Sequence, residues 1–148
     1  MEPTTTLRSV EAARERRVEL RQAASELEDV VARPLAADDW LDVVSTAFLG
    51  LQTAFQAHCD EVERSDGLFA DVLAKAPRLA SRVEDLRGEH DSIAALLAQA
   101  GRPGTYDYED LVELRHRLVS VLTAVGAHRR AGADLVYEAF NVDIGGGR

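Results

Sequence analysis

Cysteine is almost missing from this chain. Cys59 stands alone among 148 residues, so no internal disulfide can form, and the expected compartment is the cytoplasm. Aromatic residues make up only 5%, too few to fill a core. Leu, Val and Ala must do so instead, which favours helix over sheet. No apolar run approaches the roughly 18–20 residues that a membrane span needs, and Met1–Val10 lacks the apolar centre of a signal peptide. Positive charge is short as well: 17 Lys and Arg face 26 Asp and Glu, a formal net charge of -9. That balance argues against nonspecific nucleic-acid binding, which needs a basic face to displace counterions, and against docking on an anionic membrane. Phosphate-cradling loops, Ser-His-Asp orders, paired catalytic carboxylates and zinc-type cysteine pairs do not occur.

What remains is a pattern of helices. The length fits one domain, 1–148, with fraying expected over about 1–6 and a flexible tail over about 141–148 that includes Gly145–Gly147. Pro34, the Ser65-Asp66-Gly67 cluster, Pro77 and Gly101 to Gly104 are the punctuation. The first helix is expected from about Thr5 to Ala32 on the stripe Leu20, Ala24, Leu27, Val31, with the charged stretch Leu7–Arg17 fraying or overhanging. The second starts near Asp38 or Asp39 and carries Val44, Phe48, Leu51, Phe55, His58, Val62. Gly67 kinks or breaks it, and Leu68–Lys75 extends it. The third begins at Pro77 with Leu79, Val83, Leu86, His90, Ile93, Leu97. The fourth starts near Thr105 or Asp107 and runs to about Phe140 through Leu111, Leu114, Leu118, Val121, Val125, His128, Gly132, Leu135. Steps of 3 and 4 mark amphipathic helices. Four of them with short connections predict an all-α, antiparallel up-down-up-down four-helix bundle.

Three of the four histidines interrupt these stripes: His58, His90 and His128 each stand where an apolar residue is due, whereas His116 lies off its stripe. A buried imidazole without partners costs on the order of a few kcal/mol, so three of them ask for a common partner. A metal ion is the simplest one, since neutral imidazole binds Zn, Fe, Cu or Ni. A buried polar network without metal and three unrelated structural histidines are the alternatives. Nearby carboxylates are Glu61 and Glu63 after His58, Glu89 and Asp91 beside His90, and Asp134 after His128.

Facing is not enough; the rings must also share a level. At 1.5 Å per residue, His90 stands roughly 20 Å and His58 roughly 25 Å from a turn near Ala76. From the connection between the last two helices, His90 is about 15 Å away but His128 about 30 Å. They meet only if the last helix overhangs its neighbours.

The spacing of His58 to Leu68-Phe69, the Glu89-His90 pair opening onto Ile93 and Leu96, and His128 leading to Leu135-Val136-Tyr137-Glu138 resemble the hemerythrin-like (HHE cation-binding) family. The stretch from Ala131 to Gly146 resembles an actinobacterial branch of it. The resemblance covers about Asp38 to Gly146. It implies a bacterial four-helix bundle holding two irons through a His on the first helix, His-x-x-x-Glu on the second, His-x-x-x-His on the third, and a His followed by a carboxylate on the last. His58, His90 and His128 match. Val62, Ala94, Gly132 and Ala133 stand where further ligands are due, and the first helix has no histidine. Glu63 and Asp134, each shifted by a residue or two, are the nearest substitutes. A shift of one position turns a side chain by about 100°.

The expected metal set is therefore His58, His90, His128, Glu63 and Asp134, holding iron or another divalent transition metal, or a small ligand, in the core of a monomer or homodimer. Cys59 reads as a small buried filler, with a soft ligand or redox thiol as its other role. Tyr106 and Tyr108 are expected to pack over the connection, and Tyr137 to hydrogen-bond into the polar spot. Three functions stay open: a module with a reduced, mononuclear metal or ligand site; a metal-free structural or interaction bundle; and a redox protein handling dioxygen, peroxide or nitric oxide.

Overall fold

The computed structural model describes residues 4–101, 106–141 and 144, with side chains from residue 8 onward. These residues are all-helical: α1 (Thr4–Val31), α2 (Trp40–Val62), α3 (Leu68–Lys75), a 3-10 turn (Pro77–Leu79), α4 (Ala80–Ala100) and α5 (Tyr108–Phe140). None of the helices is long and apolar enough to cross a membrane. The expected boundaries hold within a residue or two, except that Leu68–Lys75 is a helix of its own. Gly67 breaks the chain there. A Cβ at Gly67 would lie 2.5 Å from the Glu61 carbonyl oxygen, so only glycine lets the chain fold back this closely.

Local chemistry sets the ends. Asp107 caps α5 through a reciprocal pair of bonds, its carboxylate accepting from the Asp110 amide at 2.9 Å while the Asp110 carboxylate accepts from the Asp107 amide at 3.1 Å. At the other end, Asn141 takes the left-handed conformation, φ 59°, one of the few non-glycine residues that does so readily. Beyond it Ile144 is buried, so the expectation of a loose tail fails at that residue. Thr105 and Gly145–Gly147 lie outside the described residues.

The helices pack mainly as the neighbours α1 with α2 and α4 with α5, with α1 also against α5. Their apolar stripes form two clusters. The first gathers Leu20, Leu27, Trp40, Leu51, Phe55, Ile93, Leu118 and Val125 among others. The second gathers Val10, Ala13, Val62, Phe69, Leu86, Leu135 and Ile144 among others. A histidine lies between the two clusters on each of α2, α4 and α5: His58 between Phe55 and Val62, His90 between Leu86 and Ile93, and His128, followed by Gly132, between Val125 and Leu135.

The start of α1 differs from expectation. Val10, Ala13, Arg17 and Leu20 are all buried, at steps of 3, 4 and 3. The charged stretch thus carries a core stripe, disguised by the arginine within it. Tyr108 is 64% exposed, whereas Tyr106 lines a groove with Phe48, Leu114 and Leu118.

Two glycines give opposite expectations. Gly67→Ala forces a methyl against backbone and should lower stability by about 1–3 kcal/mol. Gly88→Ala, in α4 with nothing within 4 Å of the new Cβ, should raise it by about 0.5–1 kcal/mol. Urea unfolding followed by circular dichroism measures both.

Candidate metal centre

The level problem is resolved by α5. Ala100 and Gly101 share a groove with Leu114 and Leu118, not with the first residue of α5. The opening turns of α5 therefore run past the end of α4, and Leu114 packs in the same cluster as Leu35 and Trp40. This overhang draws His128 back to the level of His90: the ring centroids of His90 and His128 are 4.8 Å apart, those of His58 and His90 5.3 Å, and those of His58 and His128 5.2 Å. One ligand nitrogen from each ring lies within 4.8 Å of the others.

Hydrogen bonds orient the rings. His128 donates its Nδ1–H to Glu89 at 2.7 Å, and His90 donates its Nδ1–H to Glu63. A carboxylate only accepts, so both imidazoles carry their proton on Nδ1 and offer a lone pair on Nε2. The Nε2 of His128 lies 3.1 Å from the Nε2 of His58, which makes His58 the donor in that contact. The Nε2 of His90 and the Nδ1 of His58 are buried with no hydrogen-bond partner. Phe55 caps the group, its centroid 5.9–6.3 Å from all three rings. Phe69 stacks on His90 at 5.7 Å, and the Arg87 guanidinium covers the Phe69 ring.

This arrangement keeps His58 and His128 neutral. Burial pushes His58 down from 6.5 to about 3, with neighbouring His128, His90 and Arg17 adding to the effect. Burial also lowers His128, opposed by its bond to Glu89. Neutral imidazole is the metal-binding form. A tetrahedral ion at about 2.0–2.1 Å from each nitrogen sets its ligands roughly 3.4 Å apart, so three nitrogens within 4.8 Å are close enough to hold one ion after small side-chain movements.

The donor set does not fit two irons. His58, His90 and His128 are the one group of ligand residues among those described that converges on a point. Glu63 is expected as a ligand but instead orients His90 from behind. Asp134 is half-buried and is not part of the convergent group; a one-helix step from Ala133, which faces the core, turns it aside. Tyr137 is 49% exposed, with no bond into the cluster. His116 is exposed, as its place off the stripe implies.

Arg17 and Arg129 escape the sequence reading, and Glu89 is named there beside His90 but not as the partner of His128. Glu89 is the carboxylate behind His128, across from α4; its pairing with a ring on another helix leaves no mark in either helix alone. Arg17 had a signal, since it continues the stripe from Val10 and Ala13 to Leu20. Arg129 follows His128 and had none. Cys59 is half-buried, its thiol pushed up to about 12 by burial and by Glu63, Asp60 and Asp91, so it is no ready nucleophile.

Comparison of the chain with models of protein families, with curated proteins and with solved structures finds no match.

The lowered histidines carry a pH dependence. With folded values below the unfolded 6.5, the unfolded chain binds more protons in this range. Their contribution to stability is complete above about 6.5 and is lost as pH falls from there, for His58 down toward about 3, by up to about 1.4 kcal/mol per pH unit for each histidine still neutral in the folded chain. Urea midpoints of metal-free protein should fall between about pH 6.5 and 5, ahead of surface carboxylate titration. His58→Leu should flatten the profile; identical slopes for the two proteins would contradict the assignment.

Proposed function

We propose that this chain is a hemerythrin-like, antiparallel four-helix bundle with a reduced metal site, binding one divalent transition metal ion, iron foremost, through His58, His90 and His128. The observation that carries this reading is the directed set of lone pairs. Carboxylates hold the Nδ1 sides of His90 and His128, and the Nε2 of His90 faces no protein partner. A lone pair buried without a donor costs about 1–3 kcal/mol, and a cation that takes the place of the proton His58 shares with His128, that proton moving to the partnerless His58 Nδ1, answers all three rings together. Carboxylate–histidine pairs are also the arrangement that fixes tautomer and raises ligand basicity at metal sites.

Charge supplies an approach. A recess between α2 and α4 is lined by Asp60, Glu63 and Asp91 along with His90, and by Arg64, whose charge is paired with Asp66. Its carboxylates favour a cation over an anion at this mouth. The net charge of -9 acts in the same direction.

The residues divide the work. His58, His90 and His128 would hold the ion; Glu63 and Glu89 orient their rings; Phe55 and Phe69 exclude water from the ring faces. A bound ion with three protein ligands supplies Lewis acidity and an open coordination position. With three ligands and no bridging carboxylate, binding and sensing of a small ligand suit the site better than two-iron chemistry.

Full-length protein without a histidine tag, stripped with chelator and titrated with Co(II), should take up one ion per chain with visible absorption in the range of a tetrahedral site. His58→Ala, His90→Ala and His128→Ala should each abolish stoichiometric uptake. Glu63→Gln and Glu89→Gln should weaken it by about 10- to 100-fold, and Asp134→Asn should leave it unchanged. Absence of stoichiometric uptake, with Fe(II) and Zn(II) also failing, would leave a metal-free polar layer in a structural bundle.

A further inference from the structure

The outward face of α2 departs from the rest of the chain. From Val43 to Cys59 there is no Asp, Glu, Lys or Arg, the longest such run in a sequence that is 29% charged. The solvent side of an amphipathic helix ordinarily carries charge. Here the exposed positions are Ser45, Thr46, Leu49, Gly50, Thr53 and Gln56. The end of α4, Ser92 to Gly101, is likewise free of charge and exposes Ala94, Ala95, Ala98 and Gln99. Ala94 shares a recess with Phe55 and Gln56, and Gly101 shares another with Phe48 and Gln52, so the two uncharged stretches adjoin. Leu49 projects from this surface, 62% exposed, and borders a recess on either side. The recess toward α1 also holds Arg16, Glu19 and Glu26. The recess toward α4 is lined by Leu41, Val44, Phe48, Leu114 and Leu118 among others, and its described lining residues include no charged side chain.

We propose that this face binds a second copy of the same chain about a two-fold axis, the Leu49 side chain of each copy seated in the α4-side recess of the other. An isologous contact uses the same patch twice, so knob and hole must lie on one surface. Leu49 and the recess it borders meet that condition. Charge selects the partner. Each copy carries a formal net charge of -9, and two such molecules repel one another. They can come into close contact only where carboxylates are absent, and the centres of protein interfaces are depleted of charge in the same way. A basic partner would be drawn instead to the acidic surfaces. Size sets the strength. Ser45 to Gln56 spans about 17 Å along α2, and with the end of α4 the patch is two helices wide. That is smaller than the roughly 800 Å² per partner of a standard interface, so the dimer is reversible, with a dissociation constant above about 1 µM. The contact does not involve the three histidines.

The test is sedimentation equilibrium of chelator-stripped full-length protein from about 1 µM to about 1 mM. Monomer should give way to dimer across this range and stop there. Added sodium chloride should tighten the dimer, because it screens the repulsion between the copies and finds no ion pairs to weaken. Leu49→Glu should weaken association at least tenfold. Ser45→Glu, at an exposed position lining the same recess, should do likewise. Leu49→Met keeps the knob and should stay within about threefold of the wild type. Tyr137→Glu adds the same charge at a residue 49% exposed toward the far end of α5 and should leave the wild-type behaviour. All four positions are on the surface, and circular dichroism should show unchanged helix. Protein that remains monomeric throughout would overturn the proposal; if that monomer binds indole saturably, the recess belongs to a small apolar molecule instead. A dimer that Leu49→Glu leaves intact, or that Tyr137→Glu weakens equally, would overturn it as well. So would a dimer that salt dissociates, which would place the contact on ion pairs elsewhere. The stripped protein is used throughout, so failure of metal uptake does not touch the result.

Discussion

The structure depends on one awkward layer. Two apolar clusters, each able to close over itself, meet at three imidazoles that cannot be buried without partners. Everything near them serves that need. Glu63 and Glu89 reach in from the solvent side to take the Nδ1 protons, Phe55 and Phe69 close the ring faces, and α5 overhangs far enough to bring His128 level with the others. An apolar residue at each of the three positions would merge the clusters into a single core, and a Leu or Ile there would meet none of the demands for hydrogen bonds.

Much of the fold was legible because helical periodicity is a local property. Steps of 3 and 4 on α2, α4 and α5 marked the faces that the structure buries, and the same steps set the histidines apart from His116. Pro34, Pro77 and Gly67 marked breaks for steric reasons that act within a few residues. The site was legible only to the depth of facing. Which ring meets which carboxylate depends on the offset between helices, and no helix states its offset from a neighbour. That is why Glu63 read as a ligand although it lies behind His90, and why Glu89, next in sequence to His90, turned out to serve His128. Asp134 failed for a simpler reason: Ala133 and Leu135 both face inward, and the residue between them does not share their direction. Arg17 was the reverse case, a residue on a readable stripe discounted for its charge.

The two sides of the layer divide electrostatically. Carboxylates line the recess between α2 and α4, while Arg17 and Arg129 line a small cavity on the α1 and α5 side. Neutral His58 and His128 stand between these fields, His58 held low by burial first and then by its neighbours His128, His90 and Arg17.

The chain separation of the three rings has its own consequence. His58 and His128 touch although they stand 70 positions apart in the chain, and His90 comes from a third helix. No hairpin or fragment can reproduce their meeting, so the site exists only in molecules whose helices have all docked. Any guest it accepts is then coupled to the folding equilibrium by mass action: at a free concentration a hundred times its dissociation constant, occupancy adds about 2.7 kcal/mol to the native state. For a domain whose total margin is of order 5–15 kcal/mol, the abundance of so small a guest in the cell would help set how long each copy survives.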